Sequence, residues 1–201
     1  MATVAISFDF REQQPSILLE KLSEIKEIAK IFNYEGNSIT PLPDIKGIVE
    51  DAIKDMPIIT YFNKNNSLIV SQRTINIITN EVGTEGVIDF IKKYYGILFG
   101  FLSKSQLSAR RVRVEYSNAT NRSITIKEIK QEEVKESLVH WVVERHIDNR
   151  SYFIATKIEQ YAQLKRATYS FATKLDSDCN YDKELNTMIS FVKEAMDNDN
   201  K

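Results

Sequence analysis

The stretch HWVVERH, residues 140–146, contains both histidines of the chain. Successive side chains of a β-strand point to opposite faces, so this stretch would place His140, Glu144 and His146 on one face. A histidine beside a carboxylate is a pair that hydrolases use for general acid–base catalysis, and both side chains can bind metal ions. At ~3.3 Å per residue, His140 and His146 would lie roughly 20 Å apart, too far to share one ion. The remaining candidate is the pair Glu144 and His146, about 7 Å apart, as the centre of a metal-dependent hydrolase or nuclease.

The residues that follow this strand predict which of its faces is exposed to water. Asp148 and Asn149 suit a two-residue hairpin turn, which fixes the pairing with the next strand. The predicted pairs are Arg145 with Tyr152, Val143 with Ile154 and Trp141 with Thr156 on one face, and His146 with Ser151, Glu144 with Phe153 and His140 with Lys157 on the other. Because the tryptophan face is the more apolar one, we predict that it joins the core. A solvated strand face is therefore the favoured interpretation of the histidine stripe.

A second candidate site is a basic segment at residues 104–130. Its basic side chains are Lys104, Arg110, Arg111, Arg113, Arg122, Lys127 and Lys130, against the acidic Glu115 and Glu128. Such a stripe could bind phosphates non-specifically by displacing counterions. Tyr116 is the only aromatic residue in the segment, so the stacking platform typical of single-strand binders is missing. Nucleic-acid binding is therefore an alternative to a solvated sheet face.

Composition restricts the class of protein further. Lysine and arginine total 27 and aspartate and glutamate total 28, so no overall field attracts nucleic acid or a membrane. The single cysteine, Cys179, excludes an intramolecular disulfide and a cysteine-based metal cluster, and the first residues lack the pattern of a secretory signal. Phosphate-binding loops and common catalytic motifs are absent from the sequence. We therefore expect a cytoplasmic protein with no cofactor and no metal.

Hydrophobic periodicity predicts an α+β fold in which an antiparallel β-sheet, made of a hairpin and a C-terminal meander, packs against about four helices. The chain is expected to form a single domain, 1–201, with two intimate halves, 1–103 and 104–201, as an alternative. The predicted elements are a strand at 3–10, a helix at 15–33, turns at 33–43, a helix from Asp44 to the residue before Pro57, a hairpin pairing 58–63 with 67–78, a helix at 87–102, five short strands between 109 and 175, and a helix at 181–196.

The predicted helix at 87–102 is apolar on almost every side. Its sixteen residues span roughly 24 Å and include charged side chains, so we predict no membrane span. A helix of this kind is either central to the fold or shared with a second copy in a homodimer. Gly96 and Gly100 have a spacing that allows another backbone to approach closely.

Together these features favour a non-enzymatic intracellular protein of the accessory or inhibitor type that binds a protein partner through a polar sheet face. The predicted interaction residues are Arg110, Arg111, Arg113, Lys127, Lys130, His140, Glu144 and His146. The alternatives are a nucleic-acid binder that uses residues 104–130 and a metal-dependent hydrolase or nuclease that uses Glu144 and His146.

Overall fold

The structure is a computed structural model that describes residues 2–10, 17–31, 33–40, 56–105, 107, 109–120, 136–161, 164–175 and 179–199. Its strands are β1 (Ala2–Asp9), β2 (Gly36–Ile39), β3 (Ile59–Phe62), β4 (Asn66–Val70), β5 (Thr74–Val82), β6 (Arg111–Ala119), β7 (Glu136–Ile147), β8 (Arg150–Tyr161) and β9 (Leu164–Lys174). Its helices are α1 (Ile17–Glu20), α2 (Leu22–Ile31), α3 (Val87–Lys104) and α4 (Tyr181–Asp199). A short 3-10 turn, Thr84–Gly86, precedes α3.

All nine described strands form one antiparallel sheet in the order β2-β3-β4-β5-β1-β6-β9-β8-β7. The alternation predicted for the first strand is observed, because every second residue of β1 is buried. Val4, Ile6 and Phe8 have no exposed surface, and the residues between them are only partly covered. One face of the sheet therefore bears the core, and the described helices pack on that face.

The predicted arrangement of about four helices on a hairpin and a meander is wrong. Only Lys21 separates α1 from α2, so the described residues contain three helical segments on one large sheet. The predicted helix that begins at Asp44 and the predicted strand at 121–129 lie outside the described residues. Helices were expected at 87–102 and 181–196, and both are confirmed, ending slightly later than predicted.

The strand pairing differs from the prediction at two places. The predicted strand 67–78 is broken at Ser71, whose hydroxyl accepts hydrogen bonds from the N–H groups of Arg73 at 3.1 Å and Thr74 at 2.9 Å. The chain therefore turns there, and β4 pairs with β5 instead of continuing into it. In the C-terminal part, β6 lies beside β9, so only β7, β8 and β9 form a meander.

A further strand, β2, forms where the sequence predicts only turns. It pairs with β3, and Gly36 lies opposite Phe62. A Cβ atom at Gly36 would lie 2.8 Å from the end of the Phe62 ring, so the ring would have to shift to admit a larger residue there.

The sheet has a mirrored strand order about the central pair of β1 and β6. Outward from β1 come β5, β4, β3 and β2, and outward from β6 come β9, β8 and β7. Each half ends in a long helix, since α3 follows β5 and α4 follows β9. The Tyr95 ring of α3 lies 5.6 Å from Phe8 of β1. The two helices meet where the rings of Phe99 and Tyr181 stack at 3.4 Å.

Helix α3 is less uniformly buried than its sequence suggests. Its large apolar side chains face the sheet and the other helices, whereas Asp89, Lys92, Lys93, Gly96 and Gly100 are exposed. Among the described residues, no atom outside the helix's own backbone lies within 4 Å of the position that a Cβ would occupy on either glycine, so they show no close backbone contact at Gly96 or Gly100. Among the described helices, none combines the length and the apolar character needed to cross a membrane.

Candidate interaction surface

The hairpin of β7 and β8 has the predicted turn and the predicted register. Asp148 and Asn149 have φ angles of 48° and 65°, the left-handed values that a tight two-residue turn requires. Val143 lies opposite Ile154, and the predicted pairing holds along the whole of β7.

The tryptophan face of β7 points toward the helix layer, but α4 does not cover it fully. Phe191 of α4 stacks on Phe171 of β9 and contacts Tyr152 of β8 edge-on, while the helix itself packs on β9 and β6. Trp141 is consequently only partly buried, and Val143 is 49% exposed. The prediction that Val143 belongs to the core is therefore wrong, because β7 lies beyond the helix.

A groove of about 170 Å³ separates β7 from α4. Arg145 spans it, since its Nη1 donates to Glu194 Oε2 at 2.9 Å and its guanidinium carbon lies 5.2 Å from the centre of the Phe191 ring. The hydrogen bond from Arg145 lowers the pKa of Glu194 below its ordinary value. The Arg145 side chain therefore reaches toward α4.

On the opposite face, His146 has two polar neighbours that superficially suggest catalysis. Its Nδ1 lies 3.1 Å from the Ser151 hydroxyl, and its Nε2 lies 3.9 Å from Glu144 Oε1. The second distance is too long for a hydrogen bond that would orient the imidazole. The side chains of His146 and Glu144 are 70% and 45% exposed, so no enclosed site strengthens their electrostatics. No three potential metal ligands cluster anywhere in the described part of the chain.

The basic residues predicted as a nucleic-acid site do not share one surface. Arg111 and Arg113 lie with Glu115 on the face of β6 that points away from the helices. Arg110 precedes β6, and its backbone N–H donates to the backbone carbonyl of Asp9 at 2.8 Å. Lys104 lies at the end of α3, on the helix-bearing side. Three further basic residues lie outside the described residues: Arg122, Lys127 and Lys130.

The face of β6–β9 that points away from the helices is called the outer face below. Its described side chains carry charges of both signs: Arg111, Arg113, Lys157, Arg166 and Lys174 with Glu115, Glu144 and Glu159, together with His140 and His146. Opposite charges are neighbours, as in the 2.7 Å contact between Lys157 Nζ and Glu159 Oε1. The described side chains on the same side of β2–β5 are uncharged, so the charges are concentrated in one half of the sheet.

The middle of the outer face is apolar. Phe153 of β8 lies opposite Ala172 of β9, and Val142 of β7 lies opposite Ala155 of β8. Phe153 is 36% exposed and Val142 is 57% exposed, although an antiparallel sheet normally presents polar residues to water. We call these four residues the apolar centre, and the charged side chains of the outer face surround it.

Arg166 holds three strands of the outer face together, and sequence reasoning missed it. Its Nε donates to Ser117 on β6 at 2.6 Å, and its Nη2 donates to Thr3 on β1 at 2.8 Å. Ser117 also contacts Thr168 at 2.9 Å. The sequence does not predict these Arg166 contacts, because they depend on the pairing of β6 with β9, which the sequence does not indicate. The outer face is therefore supported by side-chain hydrogen bonds as well as by the backbone.

A buried polar cluster ties the β7–β8 turn to α4. Glu184 is 1% exposed, and its carboxylate accepts a hydrogen bond from the Tyr152 hydroxyl at 2.8 Å and lies 2.8 Å from Arg150 Nη1. Burial, together with the bond to Glu184, raises the pKa of Tyr152 to about 12. The cluster lies on the helix side of the sheet and anchors the hairpin that carries the outer face.

No protein-family model matches this chain, and no curated protein matches its sequence.

Proposed function

We propose that this chain is a non-enzymatic, cytoplasmic interaction protein, of the accessory or inhibitor type, that binds a partner protein through the outer face of β6–β9. The observation that carries the proposal is the apolar centre, in which Val142 and Phe153 are exposed within a surround of both positive and negative side chains. Protein interfaces commonly combine an apolar centre that contains an aromatic anchor with a polar rim. Phe153 is the anchor in this proposal.

The charge pattern favours a protein over a nucleic acid as the partner. A phosphate backbone is bound by side chains of one sign, and each carboxylate in the surface opposes that binding. Arg113 and Lys157 lie in a surface that also contains Glu115 and Glu159. A partner protein with both kinds of charge can match such a pattern.

The enzyme alternative has less support. The contact between Glu144 and His146 is long and exposed, and an acid–base pair needs a positioned hydrogen bond to act on a substrate.

Substitution of the anchor tests the proposal. Tagged wild-type, Phe153→Ala and Phe62→Ala chains are expressed in the native cell, and the bound proteins are quantified after nuclease treatment. Phe62 is the matched control, since it lies on the same side of the sheet in β3 and is 42% exposed. Loss of an anchor at the centre of an interface costs at least about 2 kcal/mol, or roughly thirtyfold in affinity. We expect Phe153→Ala to lose a protein that Phe62→Ala retains.

Two results would contradict the proposal. Equal binding by both alanine variants would mean that the outer face is not the interface. Binding that disappears with nuclease treatment, and that Arg111→Glu with Arg113→Glu abolishes, would assign the surface to nucleic acid instead.

A further inference from the structure

The last strand of the sheet, β7, has an edge suited to pairing with another strand. It is twelve residues long and pairs with β8 without a bulge, and no other described strand pairs with it. Edge strands are protected by lysine and other charged residues, by proline or by a bulge, and of these β7 has only the charges of Glu136, Glu144 and Arg145. β7 contains no lysine or proline, and Leu138, Val142 and Val143 are 61%, 57% and 49% exposed.

The turn determines which backbone groups of β7 face this edge. Ile147 and Arg150 flank the two-residue turn, so this pair exchanges both of its hydrogen bonds. Because hydrogen-bonded pairs alternate along an antiparallel ladder, the odd-numbered residues of β7 direct their N–H and C=O groups toward β8. The even-numbered residues from Leu138 to His146 direct theirs outward, where no other described strand pairs with them.

We propose that two copies of this chain pair through β7, antiparallel, about a two-fold axis at Val142. Val142 then faces its own counterpart, and His140 of each copy faces Glu144 of the other. On the other face, Trp141 of each copy lies opposite Val143 of the other, beside the groove between β7 and α4. The central pairs therefore match charged with polar and apolar with apolar side chains, whereas toward the ends Val139 lies opposite Arg145 and Leu138 opposite His146.

The neighbouring registers lack this complementarity. Centring the two-fold axis on Trp141 places Glu144 opposite Leu138. Centring it on Val143 places Glu144 opposite Val142 and sets His140 against His146. Both shifts desolvate a carboxylate against an apolar side chain, which is unfavourable.

Pairing about Val142 supplies about ten backbone hydrogen bonds between residues 138 and 146 of the two copies. It joins the two sheets into one and continues the outer face of one copy into that of the other. The inference is independent of the proposed partner protein, because it uses the edge of β7 and requires no third molecule.

Disulfide trapping tests the register directly. In a Cys179→Ala background, Val142→Cys is compared with Leu138→Cys, since the two positions are similarly exposed. A hydrogen-bonded pair separates its Cα atoms by about 5.5 Å, which suits a disulfide. The two copies of residue 138 would lie about 26 Å apart at ~3.3 Å per residue. After oxidation with diamide, we expect a disulfide-linked dimer for Val142→Cys only. Equal trapping of both variants would overturn the proposed register.

Charge reversal tests the pairing without a covalent bond. Sedimentation of the wild type at about 100 µM is expected to show a dimer, and a monomer at that concentration would overturn the proposal. Glu144→Lys is expected to weaken self-association about tenfold, and adding His140→Glu is expected to restore it; failure of this rescue would contradict the pairing of these two residues. Arg113→Glu is the control, because it alters the outer face away from β7 and is expected to leave the dimer intact. A chain that dimerises but binds no partner protein would contradict the proposed function alone. A chain that binds a partner protein but stays monomeric would contradict the proposed dimer alone.

Discussion

Replacing Glu184 by glutamine is expected to destabilise the fold because it removes a buried negative charge that faces an arginine. The Glu184 and Arg150 side chains are 2% and 22% exposed, and their charged atoms are 2.8 Å apart. Glutamine keeps the volume of the side chain and an oxygen that can accept the Tyr152 hydrogen bond. The main change is therefore that the Arg150 guanidinium loses this carboxylate.

The size of the effect follows from the burial of the two groups. Removing one member of a fully buried ion pair costs about 3 to 5 kcal/mol, because the remaining charge is poorly solvated. Arg150 keeps about a fifth of its exposure, so water can solvate part of its charge. We therefore expect Glu184→Gln to cost about 2 to 3 kcal/mol, which for a chain of this length lowers Tm by roughly 5 to 10 °C.

Urea unfolding of Glu184→Gln, Arg150→Met and the double variant measures the energy of the pair as a double-mutant cycle. Asp148→Asn is the matched control, since the 2.8 Å contact between Asp148 and Lys183 joins the same turn to the same helix while both side chains are more than half exposed. It is expected to leave stability unchanged within error. A coupling energy below about 0.5 kcal/mol, or equal losses for Glu184→Gln and Asp148→Asn, would refute the assignment of a stabilising role to the buried pair.

Two further predictions concern the groove between β7 and α4. The hydrogen bond from Arg145 lowers the pKa of Glu194, so its stabilisation is fully present above the ordinary value of 4.5 and is lost as pH falls through the lowered pKa. Glu194→Gln is therefore expected to destabilise slightly at neutral pH and to approach the wild type in urea titrations as pH falls through the lowered pKa of Glu194; a difference that grows toward low pH would contradict this sign. Trp141→Ala is expected to cost about 1 to 2 kcal/mol, because the ring is partly exposed, whereas Ile6→Ala in the core costs about 2 to 5 kcal/mol. Urea midpoints that rank the two variants in the opposite order would show that the indole is more deeply buried.

Local features of the sequence predict the β7–β8 hairpin correctly. Asp148 and Asn149 tolerate positive φ angles, so they fix the turn, and the turn fixes every cross-strand pair up to Glu136 and Tyr161. The same reasoning identifies the two faces of β7, because alternation is a property of the backbone. The candidate surface could therefore be predicted in part before any tertiary contact was known.

The contacts between distant strands could not be predicted in this way. Nothing local to β6 indicates that it pairs with β9, and the support that Arg166 gives to Ser117 and Thr3 depends on that pairing. The partial exposure of Trp141 depends on where α4 lies, which is set by aromatic contacts around Phe191.

The mirrored strand order of the sheet could not be predicted from the sequence for a related reason. β1 and β6 begin at residues 2 and 111, whereas α3 and α4 begin at residues 87 and 181. The separations, 109 and 94 residues, differ between corresponding elements, so no single repeat period aligns the two halves. Only the strand order reveals the correspondence.

That correspondence gives a structural reason for a second copy at the edge of β7. In the mirrored order β7 corresponds to β3, and β3 is paired on its outer side by β2. The order of the described strands in the other half ends at β7, whose edge contains neither lysine nor proline. The residues that precede β7 in this half, 121–135, lie outside the described chain, and in the proposed dimer the β7 strand of a second copy takes the place that β2 holds beside β3. Self-pairing therefore extends the sheet by a type of contact that the fold already contains, and it leaves the side chains of the outer face available to a different partner.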